Sequence, residues 1–206
     1  MSVAGPTRVL GAGDLERAAA LVLQGGLLAV PTDTVYGLVC DPRDGVAAAR
    51  LEALKGRPAG MELSILGDSV AQLEEHGRLD AAARRLTAAF WPGALSLIVP
   101  VVAAGRFAVP HGKATVSLRI PDCDPLRALL RLTGPLASTS ANRHGGTPAV
   151  TWEECLPWLD AGVDAVFRGP PAAGRSSTII DLAEAPPRVL RAGPLTLEVL
   201  RPYLGG

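Results

Sequence analysis

Residues 27–38, Leu27-Leu28-Ala29-Val30-Pro31-Thr32-Asp33-Thr34-Val35-Tyr36-Gly37-Leu38, decide how this chain is read. The apolar run Leu27 to Val30 is short enough for a fully buried strand. It leads straight into two threonines, an aspartate and a tyrosine, so a buried strand ends in a cluster of hydroxyls. One helical segment later comes Lys55-Gly56-Arg57-Pro58, a point-charge ammonium beside a planar guanidinium fork. Hydroxyl donors next to paired cations suit a polyanionic ligand.

Working outward, Asp14 is placed to cap a helix over 15–23, which Gly25-Gly26 stops, and the strand 27–30 follows. Asp44 can cap a second helix that carries Val46, Leu51 and Leu54 on one side and ends near Gly56 and Pro58. A short strand is expected at 63–66, then helices at 68–75 and 80–90, the latter closed by the Trp91-Pro92-Gly93 turn. Strands at 95–102 and 115–120 follow with no helical crossover between them, which predicts an antiparallel part of the sheet. Asp124-Pro125 opens a helix through Leu132, and a strand at 136–138 leads to a polar loop over 139–146. Thr151 with Glu154 reads as a capping box for a helix to Leu159. Strands at 164–167, 177–182 and 188–191 and a helix from Thr196 complete the chain. The Gly/Pro-rich segment 169–174 reads as a mobile loop, because the residues beyond it hold too little apolar surface for a second domain. Strands alternating with helices predict an α/β fold: one domain spanning residues 1–206, with its core over about 10–200.

Bulk properties agree. The 206 residues are 48% hydrophobic and 19% charged, enough for a substantial core and unlike a disordered chain. Net charge is zero, with 20 basic against 20 acidic side chains, so no overall basic field announces nucleic acid. The basic residues are almost all arginine; only Lys55 and Lys113 are lysine. Cys40, Cys123 and Cys155 are far apart and lack metal-ligand spacing, so they read as reduced structural thiols. The start carries no basic and apolar leader, and no stretch approaches the ~20 apolar residues of a membrane span. A cytoplasmic protein with no membrane partner is expected.

Four polar clusters interrupt the apolar chain at strand ends and loops. Thr32, Thr34 and Tyr36 could equally be strand-end polarity, since threonine and tyrosine favour sheets. Lys55 and Arg57 could be cations at a helix C-terminus. Ser138-Thr139-Ser140-Ala141-Asn142 could grip a nucleotide or a carboxylate, or could be a turn plus a cap. Ser176-Ser177-Thr178, with Arg191 further on, could be a hydroxyl and a cation on neighbouring strands. His111 and His144 have no triad-like partners, and His76 falls on an expected surface helix. There is no GxGxxG after a strand and no Walker-type loop, so a bound nucleotide would need another architecture.

Taken in order, the clusters resemble the YrdC-like family of L-threonylcarbamoyl-AMP synthases. The shared motifs are PTDTVYGL at 31–38, KGRP at 55–58, FWPG at 90–93, VSLRIP at 116–121, STSAN at 138–142, SSTIID at 176–181 and LRAG at 190–193. The resemblance implies a twisted, mixed parallel and antiparallel open sheet with helices around a deep basic cavity. It also implies an enzyme that joins L-threonine, bicarbonate and ATP, with Mg²⁺ arriving on the ATP. A tRNA threonylcarbamoyl transferase complex would take the product, and contact with tRNA or double-stranded RNA would fit. Carried over by motif, Thr34, Arg119 and Ser177 would contact threonine. Lys55, Arg57, Thr115, Ser140, Asn142 and Arg191 would hold ATP, with Lys55, Arg57, Ser140 and Asn142 as the catalytic set.

The chain departs from the family in two places. The family commonly has Asn-Pro-Leu and then a histidine where this chain has Met61-Glu62-Leu63-Ser64-Ile65-Leu66, and Glu62 would set a negative charge near the phosphate site. The loop over 143–148 is one residue longer than usual. The alternative these departures support is a divergent relative, acting as an RNA-binding module or on another carbamoyl-adenylate.

Overall fold

The computed structural model describes residues 8–56, 63–102, 108–109, 113–143 and 145–205. Among them are ten strands in one sheet: β1 (Val9–Leu10), β2 (Leu28–Val30), β3 (Gly37–Cys40), β4 (Ser64–Leu66), β5 (Leu95–Pro100), β6 (Thr115–Arg119), β7 (Leu136–Ser140), β8 (Ala165–Phe167), β9 (Thr178–Asp181) and β10 (Arg188–Arg191). Their spatial order is β1-β8-β2-β3-β7-β4-β6-β5-β9-β10. The pairs β1/β8, β2/β8, β4/β6 and β5/β9 are parallel; β2/β3, β3/β7, β4/β7, β5/β6 and β9/β10 are antiparallel. The expected mixed sheet and the antiparallel β5/β6 pair are both present. The helices are α1 (Leu15–Leu23), α2 (Gly45–Leu54), α3 (Val70–Glu74), α4 (Ala81–Phe90), α5 (Asp124–Thr133), α6 (Pro157–Ala161) and α7 (Leu197–Leu204).

The register sorts the central strands into two kinds of row, because side chains alternate faces with period two. Ala137, Ile65, Leu118, Leu97 and Ile180 are successive cross-strand partners on one face, and all five are fully buried in the larger core cluster. The next row, on the opposite face, reads Ser138, Ser64, Ser117 and Ile98. Towards β2 and β3 this second face is covered by α1 and α5, whose Ala18, Val22, Leu126, Leu129 and Leu130 pack on Leu28, Val30, Val39, Leu66 and Leu136. The α5 sequence directs its leucines onto that face, and Pro125 sits in its first turn, where no intrahelical donor is lost.

Several expectations need correcting. Asp14 does not cap α1 through its side chain; a 3₁₀ turn over Ala12–Asp14 intervenes, and the carboxylate accepts from Gly11 N at 2.9 Å. Asp44 does cap α2, accepting from Val46 N and Ala47 N, but Val46 is 72% exposed while Leu51 is buried. The strand Gly37–Cys40 went unread because it is buried on both faces and shows no alternation. His76 is 3% exposed, packed where the chain leaves α3. The helix expected from Thr151 to Leu159 is split into a 3₁₀ turn over Glu153–Cys155 and α6, since Pro157 has no N–H to continue it.

The segment 169–174 is tied down rather than loose. Ala172 N donates to Val150 O (2.8 Å), Ala173 N to Asp33 O (3.2 Å) and Gly174 N to Thr34 O (2.8 Å). At its start a Cβ on Gly169 would come within 2.4 Å of Pro31 Cγ, so only glycine lets the segment lie against the 31–36 turn.

Candidate active site

The turn between β2 and β3 is organised by one hydroxyl. Thr32 Oγ1 donates to Val35 O (2.6 Å) and accepts from Thr34 N (3.0 Å) and Val35 N (3.2 Å). Its single proton is therefore committed, so in the 3.0 Å contact between Thr32 Oγ1 and Thr34 Oγ1 the donor is Thr34. Thr34 Oγ1 in turn accepts from Arg119 Nη1 at 2.9 Å and keeps one lone pair for a ligand donor. Tyr36 closes the turn: its hydroxyl donates to Gly169 O (3.2 Å) and accepts from Gly169 N (3.1 Å). Burial pushes this phenol up to about 12.

Arg119, at the end of β6, is held on three sides. Nε donates to Gly93 O (2.9 Å), Nη1 to Thr34, and Nη2 to Asp33 Oδ1 (2.6 Å). Burial lowers its pKa, the Asp33 carboxylate raises it, and repulsion from Arg191 lowers it further. Across the site Arg191 Nε donates to Ser177 O (2.9 Å) and Nη2 to Ser177 Oγ (2.9 Å), which lies 3.0 Å from Ser96 Oγ. Burial lowers the Arg191 pKa as well.

These groups surround a cavity of about 440 Å³, within the range of small-molecule sites. Its wall includes Thr34, Tyr36, Ser64, Leu66, Ser96, Ser138, Ser140 and Ser177, with Lys113, Arg119 and Arg191 as cations and, among the described residues, no carboxylate. The chemistry of such a wall is anion binding: three cations and many neutral hydroxyl donors.

Lys55 takes a different place. Nζ donates to Ser140 O (2.5 Å), to Asn142 O and to Asn142 Oδ1 (3.0 Å), so its three protons meet three acceptors. Ser140 Oγ also donates to Asn142 Oδ1, and Asn142 Nδ2 donates to Arg143 O and Gly146 O. Lysine, serine and asparagine thus tie Ser140, Asn142, Arg143 and Gly146 together. The loop's ends are fixed by a ring of backbone bonds: Tyr36 N to Ala149 O (2.8 Å), Ala141 N to Tyr36 O (2.8 Å) and Ala149 N to Ala141 O (3.0 Å). On the far side of this loop Asn142, Arg143, Glu154 and Trp158 line a second cavity of about 400 Å³.

Of the residues expected from sequence, Thr34, Arg119, Ser140, Ser177 and Arg191 line the main cavity, and Lys55 and Asn142 meet beside it. Thr115 opens β6 opposite Pro100 and is not among the lining residues. Arg57, Met61 and Glu62 lie outside the described residues, whereas Leu66, in the stretch where the family commonly has histidine, is on the cavity wall. Ser64, Ser96 and Lys113 were not anticipated. The signal for the serines was the alternation Leu63-Ser64-Ile65 and Leu95-Ser96-Leu97, which turns each serine away from the core.

The fold and the cavity define a YrdC-like α/β protein with a pocket lined by hydroxyls and cations. The family model Sua5_yciO_yrdC, described as "Telomere recombination", matches residues 20–193, and the chain belongs to that family. It is 40% identical over 185 residues to a protein named putative threonylcarbamoyl-AMP synthase of Mycobacterium tuberculosis, covering 88% of this chain and 84% of the relative. It is 39% identical to threonylcarbamoyl-AMP synthase of Thiobacillus denitrificans, over 84% of this chain and 92% of that one. The crystal structure of Pyrococcus abyssi Sua5 complexed with L-threonine superposes with a TM-score of 0.89 at 31% identity, covering 97% of this chain; this chain spans 61% of that longer one. Escherichia coli YciO shares the fold, with a TM-score of 0.84 at 24% identity.

Proposed function

We propose that this chain is a cytoplasmic threonylcarbamoyl-AMP synthase, a nucleotidyltransferase that makes threonylcarbamoyl-adenylate and pyrophosphate from L-threonine, bicarbonate and ATP. The observation that carries the reading is Arg119, fixed by Gly93, Thr34 and Asp33 at a cavity wall that otherwise presents hydroxyls and two more cations. A fixed guanidinium is suited to a carboxylate, and the lone pair left on Thr34 Oγ1 is suited to the amine or hydroxyl of the same amino acid. The threonine-bound Sua5 relative supports this assignment.

The amine attacks the carbon of bicarbonate, water leaves, and a carbamate forms. A carbamate oxygen then attacks the α-phosphorus of ATP; the bond to the β-phosphate oxygen breaks and pyrophosphate departs. Both steps bring anions together, so this chain's contribution is positioning and charge neutralisation rather than a nucleophile of its own. Arg191 and Lys113 face the cavity with the charge a triphosphate needs. The Lys55–Ser140–Asn142 lock presents the hydroxyl- and amide-rich loop to the nucleotide, with Arg57 and Thr115 proposed to complete that end. Among the described residues no cluster of three His, Cys, Asp or Glu could hold a metal; Mg²⁺ is proposed to enter as part of its ATP complex. Among those residues no helix is long and apolar enough to cross a membrane. The product's mixed anhydride is reactive, so a partner that transfers the threonylcarbamoyl group to tRNA is its natural recipient.

The test is pyrophosphate release by purified protein with Mg²⁺ and ATP. Release that requires both threonine and bicarbonate is expected; release that is absent, or as fast with glycine, overturns the reading.

A further inference from the structure

Three adjacent strands place three serines side by side on the cavity face. Ser64 of β4 is the register partner of Ser117 on β6 and of Ser138 on β7. Ser64 Oγ and Ser117 Oγ are 2.9 Å apart. Ser117 is 4% exposed and Ser138 8% exposed. Ser64 and Ser138 both line the cavity, and among the described residues no hydrogen bond reaches Ser138 Oγ. Its O–H is therefore available to donate to a ligand oxygen in the cavity. Gly37 keeps the space above it open: a Cβ there would come 3.2 Å from Ser138 Oγ.

The trio's protons can be counted. Three hydroxyls carry three O–H donors; with Ser117, which stands behind the cavity wall, donating to Ser64, the O–H groups of Ser64 and Ser138 both remain for the cavity. Two donors on one face match the two oxygens of a carboxylate-type anion. The trio sits between Arg119, two residues beyond Ser117 along β6, and Ser140, two residues beyond Ser138 along β7. It therefore lies between the end assigned to the amino acid and the end assigned to the nucleotide.

We propose that Ser64, Ser117 and Ser138 form the subsite for bicarbonate and for the carbamate carboxylate made from it, an inference that rests on the function proposed above. When the amine attacks bicarbonate, the C–N bond forms, the C–OH bond breaks, and hydroxide leaves as water with an amine proton. The two remaining oxygens stay on the serine hydroxyls. Neutral donors suit this intermediate better than arginine, because the carboxylate must next act as a nucleophile. A guanidinium partner would neutralise the charge the attack depends on.

The test uses Ser64→Ala, Ser138→Ala and the double Ser64→Ala/Ser117→Ala variant, with melting temperature as the check on folding. Bicarbonate is titrated at saturating threonine and ATP, then threonine at saturating bicarbonate. The expected result is a KM for bicarbonate raised about tenfold in the double variant and several-fold in Ser138→Ala, with KM for threonine within about twofold of the original. An unchanged bicarbonate KM overturns the proposal. So does a rise confined to threonine, which would give the trio to the amino-acid carboxylate instead. If the double variant does not fold, Ser64→Ala and Ser138→Ala carry the same two titrations. Line broadening of ¹³C-bicarbonate by the unmodified protein, reduced in Ser64→Ala, reads the subsite without turnover. A protein that broadens the line yet releases no pyrophosphate overturns the proposed function and keeps the subsite; one that turns over with no broadening or KM change does the reverse.

Discussion

Two neighbouring rows of the same strands have opposite characters. The row Ala137–Ile65–Leu118–Leu97–Ile180 is wholly apolar and buried against helices, while one residue along each of β7, β4 and β6 the row is Ser138–Ser64–Ser117. The first row needs a dry core and holds the sheet. The second gives up apolar burial for hydroxyls, and two of them, Ser138 and Ser64, face a cavity that has Lys113, Arg119 and Arg191 on its wall. A sheet can do both because a one-residue step reverses the face, so stability and ligand chemistry are written in alternate letters of the same strands.

The largest way to break the contrast is to put a charge in the apolar row. Leu118→Asp is expected to abolish cooperative unfolding, since an unpaired buried carboxylate costs at least several kcal/mol, against the ~5–15 kcal/mol of a typical domain; calorimetry checks it. Next, Arg119→Met on the cavity face should lower kcat/KM for threonine about a hundredfold or more while the melting temperature moves by only a few degrees. If activity and melting fall together, the two faces are not separable. Asp33→Asn should raise KM for threonine roughly tenfold and kcat by little, because it frees the arm of Arg119 held at 2.6 Å without removing the cation; steady-state kinetics separates the two constants.

A test of a different kind uses pH. Burial holds the thiols of Cys40 and Cys155 up to about 12 from 9.0, and the Tyr36 phenol up to about 12 from 10.0. Between these limits the unfolded chain has released protons that the folded chain keeps, so stability is full below pH 9 and falls as pH rises from 9 towards 12. Urea midpoints between pH 8 and 11 should fall. Tyr36→Phe should flatten the part of the slope above pH 10, which assigns that share to the cavity side.

The α/β class and most elements were legible from the apolar runs and their caps, and Thr34, Ser140, Ser177 and Arg191 stood out as hydroxyls and a cation at the ends of such runs; Arg119, and the grouping of all five, came only with the resemblance of the motifs to the family. The strand Gly37–Cys40 was not legible: it is buried on both sides, and a single sequence gives no second period to detect. Lys55 was legible as a cation beside an anion site but not as the fastening of a loop. That role depends on the backbone oxygens of Ser140 and Asn142, contributed by residues about 85 positions away. The anchoring of segment 169–174 was hidden for a similar reason. Its composition suggested freedom, while its backbone bonds run to residues 33, 34, 36 and 150.

The ring of backbone bonds joining Tyr36, Ala141 and Ala149 has a bearing on where this chain tolerates a change of length. It pins Ala141 and Ala149 to the turn that carries Thr32 and Thr34, and the Lys55, Ser140 and Asn142 bonds hold the near part as far as Gly146, so only the stretch between Gly146 and Ala149 is uncoupled from the wall. Loop-closure entropy grows only slowly with length, about 0.6 kcal/mol per doubling. One more residue in that interval is then nearly neutral for both fold and site. The segment can be lengthened or recast as a point of contact for other molecules while the cavity beneath it keeps its shape.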